Sequence, residues 1–160
     1  STNRPFVELV ASEQRPTFAS TGMTTLDEID WLVDTFKKHN CELMLMHTVS
    51  TYPSLEENLN LKCIDTLRSR YNLPVGYSGH EVSVSPSIVA AALGAAAIER
   101  HITIDRAMYG SDQAASLQPA GLRQLCQTIR KIPEVLGSPV KTIQNEEIPI
   151  AQKLRYWLNK

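Results

Sequence analysis

Apolar positions along this chain fall into short blocks that alternate between helical and extended spacing. Phe6–Ser12 places Phe6, Leu9 and Val10 on one helical face before Arg15-Pro16 ends the run. Thr17–Met23 is a short strand candidate with a Ser-Thr-Gly tip. Leu26, Ile29, Leu32, Val33 and Phe36 then define a helix from Thr24 or Thr25 to about His39, with Asp27 and Glu28 favourable in its first turn. Glu42–Ser50 is nearly continuous in apolar residues before it turns polar, the pattern of a parallel strand buried on both faces. After a loop at Thr51-Tyr52-Pro53, Ser54–Glu57 reads as a helix entry. Leu61, Ile64 and Leu67 carry that helix to Tyr71, where Asn72 ends it.

The next stretch, Leu73–Pro119, organises the rest. Two apolar runs, Leu73–Val75 and Ala95–Ile98, each lead into a polar cluster that contains a histidine: Gly76–Glu81 and Glu99–Thr103. A small-residue helix, Ser87–Leu93, lies between them and is closed by Gly94. A last long helix starts at Ser116–Pro119 and runs to about Leu136, with Gly137 as its stop, and Glu146–Lys160 is a mixed-charge amphipathic tail. Strand and helix thus alternate roughly four times, which requires parallel strands and crossover helices. An α/β fold follows, either an open doubly wound sheet or half of an eight-stranded barrel. Polar residues at the C-terminal end of every strand are where barrel enzymes carry their sites.

Composition narrows the class. A formal net charge of −1, from 16 basic and 17 acidic residues, leaves no basic excess for nucleic acid. The longest apolar run, Ile88–Ile98, is broken by Gly94 and falls well short of the roughly 20 residues of a membrane span. Cys41, Cys63 and Cys126 are odd in number and widely spaced, as free thiols in a reducing cytoplasm are. The chain opens on Ser1 rather than Met, the expected sign of a fragment or a processed chain.

His80 and His101 are the leading chemical candidates. Two imidazoles at one end of a parallel sheet point to a shared metal, with Glu81 and Glu99 nearby as outer carboxylates; alternatively each is a separately hydrogen-bonded strand-end histidine. Two protein ligands leave water and substrate oxygens to complete the sphere, which favours Mg²⁺, Mn²⁺ or an open catalytic site. Ser20, Thr21, Ser50 and Ser78 end three successive strands, either as an anion cradle or as ordinary turn and capping residues. His47, inside an apolar strand, reads equally as a core histidine or a site residue. Asp112 either binds a polyol or caps its loop.

Six ordered segments carry a family resemblance: Ser20–Met23, Ser50–Pro53, Gly76–Glu81, Ala91–Ala95, Glu99–Arg106 and Gly110–Leu117. Together they closely resemble the sialic acid synthases, a family that includes N-acetylneuraminate, N-acetylneuraminate-9-phosphate, legionaminate and pseudaminate synthases. The match extends from Asn3 to about Gly137. The resemblance implies a (β/α)8 TIM barrel, often followed by a small antifreeze-like domain, with residues 1–145 expected to supply strands five to eight; as a departure from that pattern, 146–160 is expected to be a helical tail with no antifreeze-like domain in these 160 residues. It implies condensation of phosphoenolpyruvate with N-acetylmannosamine or a related amino sugar, giving a 2-keto-3-deoxy acid and phosphate, aided by Mn²⁺ or Mg²⁺ as Lewis acid.

By the same resemblance His80 and His101 are catalytic metal ligands, Ser20 and Ser78 bind phosphoenolpyruvate, and Asp112, Tyr52 and Ser50 contact the sugar. Some bacterial members carry Asn where Ser50 stands. The family's phosphate-binding lysines, its Lys-x-x-Ser-x-Glu motif and its acidic general base are expected upstream of Ser1. The 160 residues alone are therefore expected to be inactive, and the complete protein to be a homodimer. A sibling of different sugar specificity and a noncatalytic half-barrel that assembles with another chain are the competing readings.

Overall fold

A computed structural model describes residues 1–155 and 157. Helix α1 (Arg4–Ser12) is followed by β1 (Thr17–Ser20), α2 (Leu26–Lys38), β2 (Leu43–Thr48), α3 (Cys63–Tyr71), β3 (Val75–Gly79), α4 (Ser85–Ala92), β4 (Ile98–Arg100), α5 (Pro119–Leu136) and α6 (Ile148–Leu154). The four strands form one parallel sheet in the order β1-β2-β3-β4, which is half of a β/α barrel. The α/β barrel expectation is thereby met. Among the described residues no helix is long and apolar enough to cross a membrane.

Local chemistry explains most element ends. Asn3 caps α1 through its side-chain oxygen, and Thr25, rather than Thr24, caps α2 in a reciprocal capping box with Glu28. The left-handed residues Asn40, Asn72 and Gly137 lie just beyond α2, α3 and α5, where a chain can leave a helix at low steric cost. Several boundaries differ from the sequence reading. Glu56–Asn58 forms only a 3-10 turn, and α3 begins at Cys63. β3 takes in the polar residues Tyr77 and Ser78, and β4 takes in Glu99 and Arg100. Each strand continues past its apolar run because ladder hydrogen bonds, rather than hydrophobicity, hold its last residues. Of the expected tail, the 3-10 turn Asn145–Glu147 and α6 are described, and residues 156 and 158–160 lie outside the described residues.

The core lies between the sheet and the first four helices. Leu43, Leu45, Val75 and Tyr77 point outward onto Val7, Ala11, Ile29, Leu32, Val33, Phe36, Ile64, Leu67 and Ala90. The alternate residues face inward. Among them Phe18 and Met46 line an apolar cavity of about 480 Å³ that reaches Leu122, Leu125 and Ile129 of α5. The period of two along each strand therefore separates a packed outer face from an inner face that carries chemistry toward its C-terminal end.

A polar staple ties α2 to α3. Both guanidinium nitrogens Nε and Nη2 of Arg70 donate to Asp30, at 2.9 and 2.6 Å, and the Tyr71 hydroxyl donates to the same carboxylate at 2.7 Å. Hydrogen bonds from Arg70 and then Tyr71 hold the Asp30 carboxyl down at about 2, while burial first, and then Asp30, push the Tyr71 hydroxyl up to about 12. A carboxyl depressed on folding contributes stability above the ordinary aspartate value near 4, and that contribution is lost as pH falls through about 2. Asp30→Asn should consequently lower the melting temperature at pH 7, and its difference from the parent should shrink steadily as thermal melts are taken from about pH 4 toward pH 2.

Candidate active site

The C-terminal ends of β3 and β4 bring His80 and His101 together. Their ring centroids lie 5.2 Å apart in an edge-on arrangement. The Tyr52 ring, from the loop after β2, packs at 4.1 Å from His80 and 5.5 Å from His101. Asp112 stands at the open side, with Oδ2 3.7 Å from His101 Nδ1. Four of the expected site residues, from four separate stretches of chain, thus form one cluster.

The two histidines are held differently. His80 is buried, and its Nδ1–H donates to the Val49 carbonyl at 2.9 Å. Because a carbonyl can only accept, the proton belongs on Nδ1, and Nε2 keeps its lone pair; this is the tautomer that a metal-ligating imidazole needs. The Thr48 hydroxyl donates to the Ser78 carbonyl at 2.7 Å and lies 3.5 Å from the same Nδ1. Backbone bonds place each ring: Ser54 N–H donates to the His80 carbonyl at 3.0 Å, and Leu117 N–H to the His101 carbonyl at 2.8 Å. The His101 side chain is 34% exposed and borders solvent. Among the described residues no three His, Cys, Asp or Glu side chains converge on one point, so a cation held by the two imidazoles would have to draw its other ligands from elsewhere.

The serines separate into two places. Ser78 and Glu99 pair across β3 and β4 on the inner face, the face of His80 and His101, and the Ser78 hydroxyl donates to Glu99 at 2.8 Å. Ser20 ends β1 and accepts from the Gly22 N–H at 3.2 Å. Gly22 passes so close to Thr48, Ser20 and Ser50 that a Cβ there would meet all three side chains. Ser50 lines a cavity of about 640 Å³ between α2, α3 and β2, together with Thr21, His47 and Thr66. His47 is a satisfied core histidine: its Nε2 bonds the Leu59 carbonyl at 2.8 Å, and burial pushes its pKa down.

Glu81 and Glu99 are not outer partners of the imidazoles. Alternation along the strand turns Glu81 to the outer face, away from His80, and Glu99 is taken by Ser78. Glu81 instead forms a fully buried ion pair with Arg100, Oε1 to Nη1 2.9 Å, with side chains 0% and 2% exposed. Tyr77 and Ser87 hydroxyls donate to the same carboxylate at 2.8 and 3.1 Å. Arg100 also reaches the carbonyls of Glu81, Ser83 and Ala115. Sequence reasoning missed this pair and the Val49 carbonyl; counting in twos from each histidine finds the first, because Glu81 and Arg100 must then share the outer face.

Fold and site together define a class: a parallel β/α barrel segment whose polar cluster sits at the C-terminal ends of its strands. A family model described as the NeuB family matches residues 1–141, and the chain belongs to that family. It is 37% identical to the N,N'-diacetyllegionaminic acid synthase of Legionella pneumophila, over 96% of this chain and 45% of the relative. It is also 37% identical to the human N-acetylneuraminate-9-phosphate synthase, over 95% of this chain and 43% of the relative. The chain therefore spans less than half the length of these curated relatives. The crystal structure of the N-acetylneuraminic acid synthetase of Leptospira borgpetersenii, in complex with citrate, superposes with a TM-score of 0.83 at 35% identity, over 96% of this chain and 55% of that one.

The packing around the buried Glu81–Arg100 pair is measurable without any ligand. A Cβ at Gly79 would lie 2.7 and 2.9 Å from the two Glu81 carboxylate oxygens and 2.8 Å from the Tyr77 ring. Gly79→Ala should destabilise the protein by about 1–3 kcal/mol in chemical denaturation, the usual effect of overpacking a filled interior.

Proposed function

We propose that the protein containing this chain is a sialic-acid-type synthase, which condenses phosphoenolpyruvate with N-acetylmannosamine or a related amino sugar. The observation that carries this reading is the His80–His101–Tyr52 cluster, with the His80 proton fixed on Nδ1 and Asp112 beside it, in a chain of the NeuB family. In the reaction C3 of phosphoenolpyruvate joins the aldehyde carbon of the open-chain sugar, whose oxygen takes up a proton. Water adds at C2, and the C2–O bond breaks to release phosphate. His80 and His101 would hold a divalent cation, Mn²⁺ or Mg²⁺, which supplies Lewis-acid polarisation when bound.

The remaining roles fall to side chains of this chain. Ser20 and Ser78 are the hydroxyls assigned to the phosphate of phosphoenolpyruvate; the buried Ser78 hydroxyl, which donates to Glu99 at 2.8 Å, would have to turn its one proton from Glu99 to the phosphate. Asp112 accepts hydrogen bonds from the sugar hydroxyls, its carboxylate held by the Ser111 hydroxyl at 2.8 Å. The exposed Tyr52 ring walls the sugar side of the imidazoles, whereas Ser50, the other residue assigned to the sugar, lines the separate cavity between α2, α3 and β2. The activity belongs to a complete barrel: β1 and β4 each pair with a single neighbour here, and we expect these 160 residues alone to be inactive. The three cysteines are all free, which supports a cytoplasmic setting, and a homodimer is the expected assembly.

Identity of 37% to both a legionaminic acid synthase and an N-acetylneuraminate-9-phosphate synthase favours neither sugar, so the assay must offer both classes. Full-length protein supplied with phosphoenolpyruvate should release phosphate only when an N-acylated hexosamine is present, and mass analysis of the keto acid identifies which one. His80→Ala and His101→Ala should each weaken Mn²⁺ binding and turnover at least about tenfold. Wild-type Mn²⁺ affinity in both variants would remove the two histidines as ligands.

A further inference from the structure

We propose that Glu81 and Arg100 are positioning residues for the candidate active site: their ion pair on the outer face of the sheet sets the spacing and orientation of His80 and His101 on the inner face. The inference rests on the reading of those histidines as metal ligands. Glu81 directly follows His80, and Arg100 directly precedes His101. The last ladder pair between the two strands is Gly79 with Arg100, so both imidazoles lie at or beyond the end of regular pairing. Each histidine carbonyl is anchored to a different segment, His80 to Ser54 and His101 to Leu117. Those anchors fix each residue separately and leave their mutual placement to whatever joins the two strand ends.

The buried pair makes that join. Arg100 Nη1 donates to Glu81 Oε1 and to the Ser83 carbonyl, each at 2.9 Å, and to Ser87 Oγ at 3.0 Å. Its Nη2 donates to the Glu81 carbonyl and, at 3.4 Å, to that of Ala115. One planar cation thereby grips the turn after His80, the start of α4 and the 3-10 turn that follows Asp112. Arg106 repeats the grip from nearer the surface, donating to the Ser116 and Val82 carbonyls at 2.8 Å each. An ion pair this deeply buried is a poor source of stability compared with apolar residues of the same volume; what it supplies is direction. Arg100 Nε, buried and without a partner among the described residues, accords with a guanidinium placed to serve the loops rather than to saturate itself.

The test separates direction from stability. In the full chain, Glu81→Gln combined with Arg100→Met removes both charges together and leaves neither stranded. This variant should fold with native circular dichroism, yet bind Mn²⁺ at least about tenfold more weakly by electron paramagnetic resonance titration. In metal-free protein, its His80 and His101 imidazole ¹⁵N resonances should move. Val7→Ala, a core truncation on α1, should lower the melting temperature while leaving Mn²⁺ affinity and both histidine signals in place. Arg100→Lys should fail to rescue, because a point charge cannot span three loops. Glu81→Gln alone carries the same two readouts if the double variant does not fold. Wild-type Mn²⁺ affinity together with unmoved histidine resonances would overturn the proposal. Unchanged Mn²⁺ affinity in His80→Ala and His101→Ala would overturn the ligand reading beneath it, whereas the metal-free resonances test the clamp itself.

Discussion

A carboxylate and a guanidinium removed from water are tolerated only where nearly every lone pair and N–H finds a partner, and the Glu81–Arg100 pair meets that condition by drawing on its surroundings. Tyr77 and Ser87 saturate the carboxylate, and the carbonyls of Glu81, Ser83 and Ala115 take the guanidinium. Each demand of the buried charges is met by a different piece of chain, so satisfying them assembles β3, β4, the start of α4 and the turn before α5. Tyr77 serves twice: its ring belongs to the apolar core, and its hydroxyl stays a donor because burial, and then the charge of Glu81, raise its pKa far above neutrality. The pair also links the two layers. The core below it fixes Tyr77, and the rim above it carries both imidazoles.

The inner and outer faces divide the work because a strand alternates. On β3, Val75, Tyr77 and, just beyond the strand, Glu81 belong outside, while Gly76, Ser78 and His80 belong inside. Gly76 shows how tight the inner face is. A Cβ there would lie 2.5 Å from the Met46 sulfur and 2.9 Å from the Ala97 carbonyl oxygen, so the strand can approach its neighbours only without a side chain. Below that level the inner face is apolar, with Phe18 and Met46; above it come Ser78, Glu99 and then the histidines. The chemistry is confined to the C-terminal rim by composition as much as by topology.

Periodicity in the sequence reveals the helices and the parallel order of the strands, because both depend on apolar spacing that survives without tertiary context. The strand ends are another matter. Tyr77-Ser78-Gly79 and Glu99-Arg100 read as polar tips, yet they are strand, held by ladder bonds that hydrophobicity does not report. The helix expected to enter at Ser54 and run to Tyr71 begins only at Cys63, after a single 3-10 turn, since Ser54 is spent in hydrogen bonds to the Val49 and Thr51 carbonyls of its own loop. The motifs bring His80, His101, Tyr52 and Asp112 into one site by resemblance, and geometry adds how they are held. Val49, whose contribution is a carbonyl, has no sequence signature of its own, and the Glu81–Arg100 pairing shows only once alternation is counted outward from the two histidines. Both follow from which face a residue is turned to, and that requires knowing where the strand ends.

The two imidazoles are unequal in a way that bears on how such a site works. His80 is enclosed, with its proton committed to Val49 and its ring pressed on Tyr52, so its orientation is set before anything binds. His101 borders solvent beside Asp112 at 3.7 Å, too far for a hydrogen bond and near enough for an intervening or incoming group to bridge. The cluster therefore joins one enclosed imidazole to one that borders solvent. The buried clamp is what lets the two differ: it holds the strand ends at a constant separation, so freedom at His101 stays confined to its side chain.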